Sequence, residues 1–307
     1  MNEKVSVLQV DNLSVSFSMY NKGLSKRDLE VIHELSIDVK KGEIVAVVGS
    51  SGSGKSLLAH AIMGILPPNS KTKGSIKYYN DELNEKYLRK VRGKDIAFIP
   101  QSVDFLDPLM KVGKQVVGIN GNKERQKEVF KKYNLDDKVA EMYPFQLSGG
   151  MARRVLIATA VMNEAKLIIA DEPTPGLNLE LAMETLNNFR EIADSGCGVL
   201  LITHDVDLAL NVADRIAVFY SGTIVEIAQV EDFIKGKDAL RHPYSKAFID
   251  ALPQNKFKEL PGYQPYAGNL PKGCLFRDRC SLKTDECCME IKMRKIRDGE
   301  VRCINAT

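Results

Sequence analysis

The chain has 307 residues, 44% of them hydrophobic and 27% charged, and a formal net charge of +3. That length can bury a large core and exceeds one average domain, while the small net charge gives no electrostatic footprint for nucleic acid. No apolar run reaches the roughly 18 residues of a membrane span, and Met1 to Val10 lacks the apolar stretch of a signal peptide, so a membrane role is expected to pass through partner proteins. From the N-terminus, Val5 to Phe17 and Val31 to Val39 alternate apolar and polar residues, which predicts an antiparallel β subdomain. The polar stretch Tyr20 to Asp28 between them is expected to be a long loop. Ile44 to Val48 is continuously apolar and reads as a buried strand, and GSSGSGKS follows it at once, fitting the pattern G-x-x-x-x-G-K-S. Gly49, Gly52 and Gly54 let the backbone turn its N–H groups toward phosphate oxygens. Ser50, Ser51 and Ser53 complete the loop, and Lys55, Ser56 and Leu57 open a helix whose positive dipole end faces the same way. Lys55 is expected to reach the β- and γ-phosphates of ATP, and Ser56 to offer its hydroxyl to Mg²⁺. A plain glycine-rich turn is disfavoured by this spacing.

Downstream, Ile96 to Ile99 predicts a strand ending near Gln101. From Val112 to Met162 helical patterns dominate, and LSGGM, Leu147 to Met151, precedes a helix expected over Ala152 to Met162. On residue type alone, Ser148, Gly149 and Gly150 read as an N-cap turn. Lys166 to Asp171 predicts a central strand that delivers Asp171 and Glu172 to the ligand edge of a parallel sheet. Asp171 is then placed for the Mg²⁺ shell and Glu172 to polarise an attacking water. Gly198 to Thr203, ending before His204, Ile216 to Tyr220 and Thr223 to Ile227 complete the predicted strands, and the domain is expected to end near Lys235. Beyond it, His242 to Phe248 leads into a short helix that Leu252 and Pro253 end, followed by an irregular stretch through Pro271. Five of the six cysteines lie here. Cys274, Cys280, Cys287 and Cys303 follow C-x5-C-x6-C-x15-C, with Cys288 a possible substitute for Cys287. Cys197 reads as a lone buried or loop thiol. Disulfides do not suit a protein using cytosolic ATP; four thiolates fit Zn²⁺ or an iron–sulfur cluster, and free thiols remain an alternative.

The order GSSGSGKS, LSGGM, LIIADEPT, LLITHD resembles the ATP-binding cassette (ABC) family. The resemblance implies an α/β phosphate-loop ATPase over residues 1–235: a RecA-like core, an antiparallel β subdomain and a helical subdomain at about 102–163. It further implies that Ser148, Gly149 and Gly150 bind the γ-phosphate of ATP held by an opposing subunit. Gln101 is implied to touch Mg²⁺ and communicate with a membrane partner, His204 to contact the γ-phosphate, and Phe17, with Tyr20 competing, to stack on adenine. Two positions depart from the family pattern: Arg153 where Gln is common, and Asn178 where Asp is usual. The second puts symmetric pairing in doubt and favours a second, different ATPase subunit. HPYSKAFIDALP and PKGCLFRDRC resemble the C-terminal extension of oligopeptide, dipeptide and nickel importer ATPases, here residues 236–307. That resemblance implies a [4Fe–4S] cluster on Cys274, Cys280, Cys287 and Cys303, two permease subunits, an external substrate-binding protein and a peripheral position on the cytoplasmic face of the membrane. It leaves peptide, nickel or a metal chelate open as cargo, with peptide leading. The competing class, a soluble ABC ATPase acting on ribosomes or DNA, usually carries two cassettes or a coiled-coil insertion, and this chain has one cassette and no sustained heptads.

Overall fold

The computed structural model describes residues 5–20, 25–118, 121–252, 254–255 and 257–306. Strands β1 (Ser6–Tyr20) and β2 (Lys26–Lys40) pair antiparallel and bury Val7, Leu13, Val15, Ile32, Leu35, Ile37 and Val39 on one side. Both ends of the predicted long loop are strand, because pairing runs on to Ser18 opposite Asp28 and Tyr20 opposite Lys26; residues 21–24 of it lie outside the described residues. There polarity marks a ribbon wetted on both faces: Asp28 accepts from Ser18 at 2.5 Å and from Lys71 at 2.6 Å. Strand β3 (Ile44–Val48) then enters the main core and α1 (Lys55–Met63) leaves it. Strands β4 (Ser70–Tyr78) and β5 (Asp81–Glu82) return to the small sheet, whose order is β2-β1-β4-β5. Helix α2 (Glu85–Val91), capped by Asn84, leads to β6 (Ile96–Ile99).

The insert that follows is helical, as its pattern predicts, with α3 (Val112–Val117), α4 (Lys123–Lys132) and α5 (Gly149–Val161), the last two separated by the short 3-10 segments Asp137–Glu141 and Pro144–Gln146. Helix α5 begins three residues before the predicted start, since Gly149 and Gly150 form its first turn and the Ser148 hydroxyl accepts the Met151 N–H at 3.2 Å. Strand β7 (Leu167–Asp171), α6 (Leu179–Asp194), β8 (Gly198–Thr203), α7 (Val206–Leu210), β9 (Arg215–Tyr220) and β10 (Thr223–Gln229) rebuild the core. Strand β3 lies between β8 and β9 with all three parallel, and β7 and β6 extend the parallel set. Every residue of β3, β7 and β8 is buried, which is why these strands read as unbroken apolar runs. Parallel pairing brings their carboxyl ends, and therefore Gly49, Gln101, Glu172 and His204, to one edge.

Past α8 (Val230–Ile234) the chain stays on this body. Helix α9 (Pro243–Asp250) starts at His242, whose Nδ1 accepts the Tyr244 N–H at 3.0 Å, and Pro243 occupies the first helical position. The expected stop at Pro253 lies outside the described residues. Strands β11 (Arg294–Ile296) and β12 (Gly299–Val301) form a hairpin that pairs with β10. The large sheet therefore runs β11-β12-β10-β9-β3-β8-β7-β6, and the extension covers an edge that would otherwise present unpaired backbone. A buried ion pair locks this join. Glu226, fully buried, accepts the backbone N–H groups of Arg241 and His242 at 2.8 Å each, while the Arg241 guanidinium lies 3.4 Å from Glu226 and 2.9 Å from Asp232.

Candidate functional site

The loop after β3 needs glycine at two places for different reasons. A Cβ on Gly49 would stand 2.4 Å from the Phe219 carbonyl oxygen of neighbouring β9, and Gly54 takes φ +103° to open α1. Lys55, 6% exposed, donates to the carbonyls of Gly49 and Ser50 at 2.9 Å each. Burial lowers its pKa, against the nearby carboxylates of Glu172 and Asp171, which raise it. Across the cleft the Ser56 hydroxyl donates to Asp171 Oδ1 at 3.1 Å. Burial raises the Asp171 carboxyl above its ordinary range, the Ser56 hydrogen bond works against that, and Glu172 adds to it. This hydroxyl–carboxylate pair beside an ammonium is a donor set that fits a hard divalent cation.

Glu172 follows β7 in the left-handed region at φ +49°, donates its N–H to the Ile202 carbonyl at 2.9 Å, and lies 2.8 Å from His204 Nδ1 through Oε2. A non-glycine residue held at positive φ stores strain that the surrounding sheet must sustain. Gln101 is exposed at the mouth of β6, and its position is set by a residue that the sequence marks only as a departure. Arg153 of α5, 7% exposed, donates to the Pro100 carbonyl at 2.9 Å and the Gln101 carbonyl at 2.5 Å, with Asp171 and Glu172 as electrostatic neighbours. Its charge and its place on α5 were legible; its target was not, because 52 residues separate it from Gln101.

The fold thus brings Lys55, Ser56, Asp171, Glu172 and His204 together and ties Gln101 to them through Arg153. Ser51 and Gly52 are exposed on the loop, Ser53 is buried beneath it, and Leu57 packs against the antiparallel subdomain. Ser148 and Gly149 are exposed at the start of α5, with the Ser148 hydroxyl given to its own helix. Phe17 packs partly buried against the small-sheet core, whereas Tyr20 is 68% exposed with Lys26 Nζ 5.2 Å from its ring centroid. Asn178 caps α6, its Oδ1 accepting the Leu181 N–H at 2.9 Å.

The four spaced cysteines also converge. Burial first, then the neighbouring Cys303, Cys280 and Cys287, pushes the Cys274 thiol up to about 11. Cys274, Cys280 and Cys303 interact with the N–H groups of Phe276, Leu282 and Asn305, each two residues on, and Asn305 Nδ2 lies 3.7 Å from Cys287 Sγ. Cys287 is buried in this group while Cys288 is exposed, and Cys197 is buried alone. Even so, among the described residues no three His, Cys, Asp or Glu side chains are close enough to hold one metal ion. The expected [4Fe–4S] ligand set is therefore not supported as a metal centre, and burial of Cys274, Cys280 and Cys303 favours their neutral thiols over the thiolates that a metal requires.

A phosphate loop on a central parallel strand, acids at the end of the adjoining strand, a helical insert and a small antiparallel sheet define an ABC-type ATPase cassette. The ABC transporter family profile matches residues 32–175, and the oligopeptide/dipeptide transporter C-terminal region profile matches residues 225–287. The dipeptide transport ATP-binding protein DppD of Haemophilus influenzae is 33% identical over 97% of this chain and 95% of its own length, and its Bacillus subtilis namesake is 35% identical over 92% and 88%. A solved dimeric ATP-binding cassette in a post-hydrolysis state with ADP and Pi superposes with a TM-score of 0.64 at 25% identity, over 73% of this chain and 98% of that one. The chain belongs to the family of ATP-binding subunits of dipeptide and oligopeptide ABC transporters, and it is an ATPase.

Proposed function

We propose that this chain hydrolyses ATP to drive peptide import, as one half of an ATP sandwich on the cytoplasmic face of a membrane, beneath two permease subunits supplied by an external binding protein. The observation that carries the reading is the convergence of Lys55, the Ser56–Asp171 pair and the Glu172–His204 pair in one cleft, while Ser148 and Gly149 face outward. Lys55, now on loop carbonyls, is released to the β- and γ-phosphates when nucleotide enters. Ser56, Asp171 and Gln101 would hold Mg²⁺, which neutralises phosphate charge when bound. Glu172 orients the attacking water with His204 steering its carboxylate, and Ser148 completes the opposing subunit's site. Asn178 keeps the α6 cap without the usual charge, which supports a different ATPase subunit as the partner.

Peptide is favoured over nickel as cargo because relatives matching over at least nine-tenths of the chain are named for dipeptide and oligopeptide transport. A permease partner is supported by the exposed Phe105, Leu109 and Met110 just after Gln101, a grouping of apolar side chains that suits burial by another protein. No helix of the described residues is long and apolar enough to cross a membrane. Affinity purification from membranes, followed by reconstituted uptake of a dipeptide and of Ni²⁺, tests the proposal: permeases should co-purify and ATP-dependent dipeptide uptake should follow. Purification without permeases, or uptake of Ni²⁺ alone, rejects it. A [4Fe–4S] cluster on Cys274, Cys280, Cys287 and Cys303, which the resemblance implies, is not part of this reading, because the described residues place no three such side chains close enough for one metal ion. Iron and sulfide analysis of anaerobically purified protein checks this, with presence of both restoring the cluster.

A further inference from the structure

The extension does more than cover a sheet edge, because part of it reaches the phosphate loop. The Ser50 hydroxyl donates to Gln264 Oε1 at 3.1 Å, and the Tyr244 phenol of α9 interacts with the same hydroxyl. Gln264 sits on a strap held at its start by Arg279, which donates to the carbonyls of Pro261 at 2.9 Å and Leu260 at 3.0 Å and to the Tyr220 phenol at 3.3 Å. Tyr220 ends β9, the strand whose Phe219 carbonyl abuts Gly49, and its ring packs 4.4 Å from Tyr244 and 5.4 Å from Phe276, centroid to centroid. Further along, Arg27 Nη2 donates to the Tyr266 hydroxyl at 3.4 Å, tying the strap to the ribbon that carries Tyr20. The strap thus contacts the phosphate loop through Gln264 and the antiparallel ribbon through Tyr266.

From this geometry we propose that the extension clasps the phosphate loop, with Gln264 and Tyr244 acting through Ser50 as positioning residues for nucleotide binding. The proposal rests on reading the loop as an ATP site. Ser50 is an exposed residue of a glycine-rich loop, and such a loop must lose conformational freedom when its N–H groups gather on phosphate. Two side chains that fix it beforehand reduce that cost. Neither need touch the nucleotide.

The test is calorimetric binding of a non-hydrolysable ATP analogue with Mg²⁺ to the full chain. Gln264→Ala and Tyr244→Phe are each expected to weaken binding roughly three- to ten-fold, the scale of one hydrogen bond. Gln264→Glu keeps an acceptor for Ser50 but brings a negative charge toward the triphosphate. It should weaken binding more than Gln264→Ala, and raised salt should shrink the extra loss. The melting temperature of the nucleotide-free protein should stay at the wild-type value in both Gln264 variants. Affinities within two-fold of wild type, tighter binding, or equal salt-insensitive losses that track a lowered melting temperature would each overturn the clasp. Lys55→Ala separates the two levels: if it binds like wild type the ATP-site reading fails, and if it loses binding while the Gln264 variants do not, only the clasp fails.

Discussion

At the scale of single residues, the proposed function rests most heavily on Glu172. Its left-handed backbone and its contact with His204 at 2.8 Å aim a carboxylate that is 6% exposed. Glu172→Gln preserves shape and a hydrogen bond to His204 while removing the charge. It is expected to bind ATP normally and to release phosphate at least about 100-fold more slowly; single-turnover phosphate release measures this, and wild-type turnover would reject the assignment. Arg153 makes the complementary point. Truncating it leaves two carbonyls without their donors, so Arg153→Ala should cost about 1–3 kcal/mol, read by urea unfolding, and should loosen Gln101. The type and order of the site residues were legible in the sequence, since phosphate chemistry demands those groups at those spacings. The Arg153 target was not, because it depends on how α5 packs against the end of β6.

At the scale of elements, the sequence reads best where burial is complete. Strands β3, β7 and β8 are apolar on both faces, so their runs admit few other structures. Strands β4, β11 and β12 escaped because short, charged or half-exposed segments become strands only when an edge receives them. The start of α9 yields a pH prediction. His242, 1% exposed, is pushed down to about 3 by burial, against an ordinary value of 6.5. The unfolded chain therefore binds the additional proton between those values, so this contribution to stability is full above about pH 6.5 and declines as pH falls toward 3. His242→Asn keeps an N-cap acceptor and cannot titrate. Its stability should vary less between pH 7.5 and pH 5 than that of wild type, as measured by thermal unfolding at both values; equal slopes would assign the dependence elsewhere.

At the scale of the whole molecule, the proposed function makes the cleft half of a larger machine, and the exposed Leu109 tests that. Its side chain is 88% exposed, eight positions past Gln101 in the chain. Leu109→Glu is expected to bind ATP with wild-type affinity yet lose at least half of its permease co-purification, checked by quantitative pull-down; unchanged recovery would move the docking surface elsewhere. The ATPase class was determined by sequence alone, because a phosphate loop, an acidic strand end and a signature turn are local patterns whose chemistry is inseparable from their spacing. Only the tertiary structure decided that the extension completes the main sheet, that Cys287 and not Cys288 joins the other thiols, and that Gln264 reaches Ser50 across 214 positions of chain. Those are long-range pairings. They depend on which surfaces the folded core leaves open, and no local pattern of residues encodes that.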